Sequence, residues 1–135
     1  MGLFGGGKKD TRHVDEGLAQ LLGSDEPTAI EFWKKRLKMT ASVPTDVARV
    51  GALTPQIREL TRVDDLEERK RLTRARIIAF AQLSPEERQT LTAARRTAFA
   101  VDPAVLKADQ ELVDQLMPTL DEKVRAAYPG SGHTT

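Results

Sequence analysis

The side chains of this sequence that could do the most chemistry are clustered cations. Between Arg69 and Arg96 the chain carries eight basic residues, opposed only by Glu86 and Glu87. Clustered cations add their electric fields, and a planar guanidinium forms paired hydrogen bonds with carboxylates or phosphates. The cluster therefore predicts an anion-binding helix surface, although a solvated helix face gives the same pattern. Its candidate partner-binding residues are Arg74, Arg88, Arg95 and Arg96.

A second cationic cluster directly follows two aromatic residues. A helix with aromatic anchors and a cationic flank is typical of a surface that binds a partner or the edge of a membrane. A tryptophan in the core with long basic side chains reaching past it to water explains the same segment. Partner binding is the hypothesis carried forward, and peripheral membrane contact is the less favoured one. The candidate residues are Phe32, Trp33, Lys34, Lys35 and Arg36.

Residues suited to catalysis or to holding a cofactor are scarce. The two histidines, His13 and His133, lie near the chain ends, where a buried general base is not expected. No EF-hand spacing occurs, and the pairs of adjacent glutamates lie in predicted first turns of helices, where capping explains them. The glycine run at 5–7 follows no strand that would make it a phosphate loop. The sequence predicts a protein that is not an enzyme and has no metal or cofactor.

The composition narrows the class of protein further. The chain has 135 residues, 39% of them hydrophobic, which fits one folded domain. It has no cysteine, so disulfides and thiolate chemistry are excluded and a reducing cytoplasm is the expected location. Its 21 Lys+Arg residues nearly balance 20 Asp+Glu residues, whereas compact nucleic-acid binders usually carry a clear basic excess.

The elements that must position these side chains are predicted to be helices throughout. Apolar residues recur at intervals of three and four, capping residues and first-turn prolines divide the segments, and no alternating strand pattern competes. We predict an all-α bundle of about six to seven helices over residues 11–128, between flexible tails at 1–10 and 129–135. Residues 40–53 receive no clear assignment. The predicted helices are about 14–22 and 27–39, a short one from 54, then 65–82, 85–100, one from 103 to Pro118, and 119–128.

An internal repeat lies at the centre of the chain. When residues 67–81 are laid over residues 86–100, ten of the fifteen pairs are identical. The shared leucine and alanine positions form one helical stripe in each copy, which predicts an antiparallel hairpin with close approach at the alanines. Ile77 and Ile78 of the first copy become Arg96 and Thr97 in the second, so the first helix is expected to be the more buried.

These observations support two hypotheses about function. The leading one is a non-enzymatic interaction or adaptor protein that docks on a larger protein through its Arg-rich helix surface or the Phe32-Trp33 region. The alternative is a nucleic-acid-binding module that places the arginines of the repeat on phosphates. Self-association into a homo-oligomer is compatible with either.

Overall fold

The regular elements of the chain are all helices in the range that the structure describes. That structure is a computed structural model, and it describes residues 16–128. The helices are α1 (Glu16–Leu21), α2 (Glu26–Ser42), α3 (Asp46–Thr61), α4 (Leu66–Ala81), α5 (Pro85–Val101), α6 (Pro103–Leu116) and α7 (Glu122–Ala127), with a 3-10 turn at Met117–Thr119 before α7. The predicted all-α bundle is confirmed. The predicted tails at 1–10 and 129–135, and residues 11–15 of the predicted domain, lie outside the described residues.

Side-chain caps determine where most of the helices begin. The Asp25 carboxylate accepts a hydrogen bond from the Thr28 amide at the start of α2. Ser84 and Glu87 form a reciprocal capping box at the start of α5, as the sequence predicts. Helix α6 lacks a side-chain cap and instead begins with Pro103, whose fixed φ suits a first helical turn.

Helix α3 departs most from the sequence-based expectation. A short helix beginning near Thr54 was expected, and this is wrong: α3 begins at Asp46, where the Thr45 hydroxyl caps the Ala48 amide. Pro55 therefore lies inside the helix and leaves the carbonyl of Gly51 without its usual amide donor. Both residues are exposed, so water can satisfy that carbonyl and the helix continues. The unassigned segment 40–53 is helical apart from residues 43–45.

A glutamate three residues after a capping residue predicts Asp64 as the cap of the helix at 65–82 and Thr119 as the cap of the helix at 119–128, and both caps are displaced along the chain. Asp65, and not Asp64, caps α4, since its carboxylate accepts from the amides of Glu67 and Glu68. Asp121 caps α7, where Thr119 was expected; Thr119 belongs to the 3-10 turn that follows the break at Pro118. In each case a run of polar residues offers more than one possible cap, and the tertiary packing selects among them.

The buried side chains form two clusters. The larger one surrounds Trp33, which is completely buried, and draws on all seven helices or the segments that flank them, with the 3-10 turn. The smaller one lies between α3, α5 and α6. Its buried members are Val50, Leu53, Ile57, Ala94, Ala98 and Leu106. Helices α3, α5 and α6 supply residues to both clusters and so join them.

The two copies of the repeat are consecutive helices that face different partners. Helix α4 packs most extensively on α2, whereas α5 packs most extensively on α3. Ala75 and Ala79 consequently belong to the larger cluster, and Ala94 and Ala98 belong to the smaller one. The expected close approach of the two copies at their alanines is therefore wrong. The expected difference in burial is confirmed. Helix α4 buries polar as well as apolar residues, whereas α5 buries only Leu91, Ala94 and Ala98.

Candidate functional site

A buried ion cluster lies where the two copies of the repeat meet α6. Arg76 of α4 donates to both carboxylate oxygens of Asp109, at 3.0 and 2.8 Å. Arg95 of α5 occupies the equivalent position of the repeat and approaches the same carboxylate at 2.9 Å. The side chain of Asp109 is 2% exposed, that of Arg76 is 5% exposed and that of Arg95 is 15% exposed. One carboxylate thus accepts charge-assisted hydrogen bonds from two arginines.

The charges of this cluster stabilise one another against the effect of burial. Burial alone would raise the pKa of Asp109, but the two neighbouring guanidinium groups hold that pKa below its ordinary value. Burial alone would likewise lower the pKa of Arg76, and the Asp109 charge outweighs it, so the pKa is raised. Asp109 and Arg76 are therefore ionised at neutral pH, and because a guanidinium is always charged in proteins, the cluster of one carboxylate and two arginines carries one net positive charge.

The four arginines that were predicted to bind anions have different surroundings in the structure. Arg74 forms an ion pair with Glu26 at 3.0 Å, and Arg95 belongs to the buried cluster. Arg88 donates to the carbonyl of Leu83 at 2.6 Å. Arg96 is exposed and has no ion pair with any residue in the described range. Most of this predicted surface is thus engaged within the fold, and only Arg88 and Arg96 line an open groove, which lies against α7.

The predicted aromatic and basic cluster on α2 is also divided, between core and surface. Trp33 is 0% exposed, so its predicted role in contacting a partner is wrong: it faces the core in the stripe of Ala29 and Leu37. Phe32 is half-buried, packs edge-on against Trp33 with ring centroids 5.7 Å apart, and lies 4.5 Å below the Arg36 guanidinium. Lys34 is half-buried and Lys35 is exposed.

The candidate site is the groove between α2 and α3. Its volume is about 610 Å³, and it is the largest of the described cavities. Apolar side chains form most of its wall, and Met39 is 69% exposed at its rim. Its apolar lining residues are Phe32, Met39, Val43, Ala52 and Pro55.

The polar residues of the α2–α3 groove give it a cationic rim. Lys35 and Arg36 line it from α2, and Glu59 is the one carboxylate that lines it. The Glu59 charge is paired with Arg62 at 3.2 Å, and the exposed Lys35 places a positive charge on the rim. Gln56 donates to the Thr40 hydroxyl at 3.0 Å, while its own side-chain oxygen is buried without a hydrogen-bond partner in the described range. The groove therefore offers apolar contact and positive charge.

Two important residues were missed by sequence reasoning, and each had a usable signal. Met39 follows Phe32 by seven positions, so the two residues lie on the same side of α2, beside the core stripe and not within it. Asp109 lies three residues after Leu106 and three before Leu112, within the apolar stripe of α6. An acidic residue in such a stripe indicates a buried ion pair.

No known protein family, characterised protein or solved structure matches this chain. Within residues 16–128 no group of three or more potential ligand side chains is placed to hold a metal ion. None of the helices in that range is long and apolar enough to cross a membrane. Function is therefore argued from the α2–α3 groove, the buried ion cluster and the groove beside Arg88 and Arg96.

Proposed function

We propose that this protein is a non-enzymatic interaction module that binds a segment of a partner protein in the α2–α3 groove. The observation that carries the proposal is the exposed Met39 at the rim of a mostly apolar groove. An exposed side chain of this size contacts only water unless a partner covers it, and apolar surface that is removed from water contributes about 25 cal/mol per Å². Methionine is also a side chain that adapts to different partners.

The chemistry of the groove specifies the partner segment. An apolar anchor residue would fill the space between Phe32 and Pro55. An acidic residue beside that anchor would lie near the exposed Lys35, since opposite charges across an interface steer association and fix its register. The partner is thus an acidic segment with a central apolar anchor.

The test is selection of random peptides displayed on phage against the full chain, followed by binding measurements with the synthetic peptides. We expect enrichment of peptides that carry one or two large apolar residues flanked by Asp or Glu. The Met39→Glu variant should bind them at least tenfold more weakly, because it places a charge in the apolar contact. Lys35→Glu should weaken binding as well, and more strongly at low salt than at high salt.

The matched control is Val101→Glu. Val101 is 68% exposed, close to the value for Met39, and lies on α5 away from the groove. This variant introduces the same charge at a similar exposure and should bind the peptides as the unmodified chain does. If no acidic apolar peptide is enriched, or if Met39→Glu binds the selected peptides as tightly as Val101→Glu does, the groove is not a docking site.

Nucleic-acid binding is the second candidate, and it now depends on Arg88 and Arg96. These two arginines line a groove of about 460 Å³ between α5 and α7 together with Ala126 and Ala127. Binding through them would weaken with salt in proportion to the few phosphates contacted. Titration of single-stranded and double-stranded DNA and RNA at low ionic strength tests this, and loss of binding in Arg88→Glu with Arg96→Glu, but not in Met39→Glu, would support it.

A further inference from the structure

The buried ion cluster contains more positive than negative charge. Arg76 and Arg95 both point their charge at Asp109, which is the one carboxylate that forms an ion pair with either of them among the described residues. The three groups sum to one positive charge in a region where the carboxylate and one guanidinium are nearly inaccessible to water. A buried charge without a counter-charge is costly, by several kcal/mol for an ion taken fully out of water.

A small cavity lies directly beside this excess charge. Its volume is about 40 Å³, and Arg76 and Arg95 both line it. Its other polar lining groups are the Thr92 hydroxyl and the phenol of Tyr128, and Tyr128 also acts on the Arg76 guanidinium. The two guanidinium groups and the phenol can donate hydrogen bonds into it, whereas the Thr92 hydroxyl already donates to the carbonyl of Arg88 at 2.7 Å, and no carboxylate lines the cavity.

The remaining wall of the cavity is apolar. It consists of Leu37, Leu53, Ile57, Phe80 and Leu91 from helices α2 to α5. A cavity of roughly 10–15 Å³ holds one water molecule, so 40 Å³ accommodates about three particles of that size. A halide ion is only slightly larger than water, whereas sulfate and phosphate, with four oxygens each, are too large.

From these observations we propose that the cavity binds one small monovalent anion of chloride size between the guanidinium groups of Arg76 and Arg95. The anion supplies the second negative charge that the cluster lacks. It accepts hydrogen bonds from donors that the repeat contributes at equivalent positions of α4 and α5. Binding is independent of the α2–α3 groove and of any protein partner.

The first experiment measures unfolding by urea at increasing chloride concentration, with gluconate added to keep the ionic strength constant. A ligand that binds only the folded state at ten times its dissociation constant raises the ratio of folded to unfolded protein about tenfold. We expect a saturable increase of this kind with chloride and bromide. Sulfate should give no saturable increase, since it does not fit, and only its general effect on stability should remain.

Two variants separate the cavity from the surface. Arg95→Gln removes the excess charge and leaves the neutral pair of Arg76 and Asp109, so it should abolish the saturable chloride effect. Arg96→Gln removes the same charge from the exposed neighbouring position and should retain the effect. A chloride effect that persists in Arg95→Gln, or that disappears equally in Arg96→Gln, would overturn the proposal.

Anomalous diffraction from crystals of the unmodified chain grown with bromide locates the ion without any substitution. We expect a bromide peak within hydrogen-bonding distance of the guanidinium groups of both Arg76 and Arg95. Ordered water alone in the cavity, with bromide absent or found only at the surface, would refute the site even if chloride stabilised the protein in solution.

Discussion

Asp109 is the residue on which the centre of the molecule depends most. It is buried, it accepts hydrogen bonds from arginines on two different helices, and it is the one negative charge that those two arginines share. Replacement of a buried ion pair by apolar residues is often tolerated, but removal of a single partner is not, because the remaining charge loses its compensation.

The substitution Asp109→Asn should therefore destabilise the chain strongly. It preserves the shape of the side chain and removes only the charge, so two arginines then face a neutral amide. We expect the free energy of unfolding to fall by about 3–5 kcal/mol, as measured by urea denaturation. Asp114→Asn is the control, since Asp114 is exposed on the same helix and should change stability by less than about 0.5 kcal/mol.

Acid should produce the same loss in the unmodified chain. The pKa of Asp109 is depressed in the folded state, so its contribution is complete above the ordinary carboxyl pKa of about 4 and is lost as the pH falls through the lower folded value. Stability should fall less steeply below about pH 4 in Asp109→Asn than in the unmodified protein. Equal acid sensitivity of the two chains would contradict this role for Asp109.

At the scale of the elements, several helix boundaries depend on capping residues and prolines that lie within a few positions of the helix end. The capping box at Ser84, the first-turn Pro103 and the break at Pro118 were predicted because each depends on neighbouring residues. Helix α3 was missed because Pro55 signals a helix start, and only tertiary packing shows that the exposed side of α3 tolerates it. The packing partners of α4 and α5 could not be predicted, since identical stripes fit several neighbours equally well.

Two glycines in different elements should respond oppositely to alanine. Gly23 follows α1 with a φ of +82°, and its amide donates to Glu68 at 2.7 Å, so Gly23→Ala should lower the stability by about 1–2 kcal/mol through backbone strain. Gly51 lies inside α3 with open space around its α-carbon, so Gly51→Ala should raise the stability by about 0.5–1 kcal/mol. Thermal or urea unfolding measures the stability of both variants. Each variant is the control for the other, because both replace a glycine with an alanine. Stability changes of equal sign would contradict the prediction.

At the scale of the molecule, the two core clusters are joined rather than independent. Helices α3, α5 and α6 each contribute to both, and the ion cluster links α4 to α5 through α6. The sequence predicted one domain from length and composition alone. It could not predict two clusters, because their separation depends on which faces of α4 and α5 pack together.

The chain should accordingly unfold in a single cooperative transition. Trp33 fluorescence reports on the larger cluster, while far-UV circular dichroism reports on all the helices, and we expect the two urea transitions to coincide. Leu106→Ala, which opens a cavity in the smaller cluster, should shift both probes by the same amount, equivalent to about 2–5 kcal/mol. A fluorescence transition that stays in place while the helical signal shifts would show two separately folding parts.

The shared use of Asp109 also limits how this fold can be lengthened. In solenoid proteins a unit can be added because each copy contacts only its neighbours. Here Arg76 and Arg95, at the same position of the two copies, converge on one carboxylate, so its single negative charge is already shared between two cations. A third copy inserted after α5 would bring a third guanidinium and no acid to receive it. The internal repeat therefore accommodates two copies around one carboxylate. An engineered chain with further copies will need a new acidic residue for each copy added.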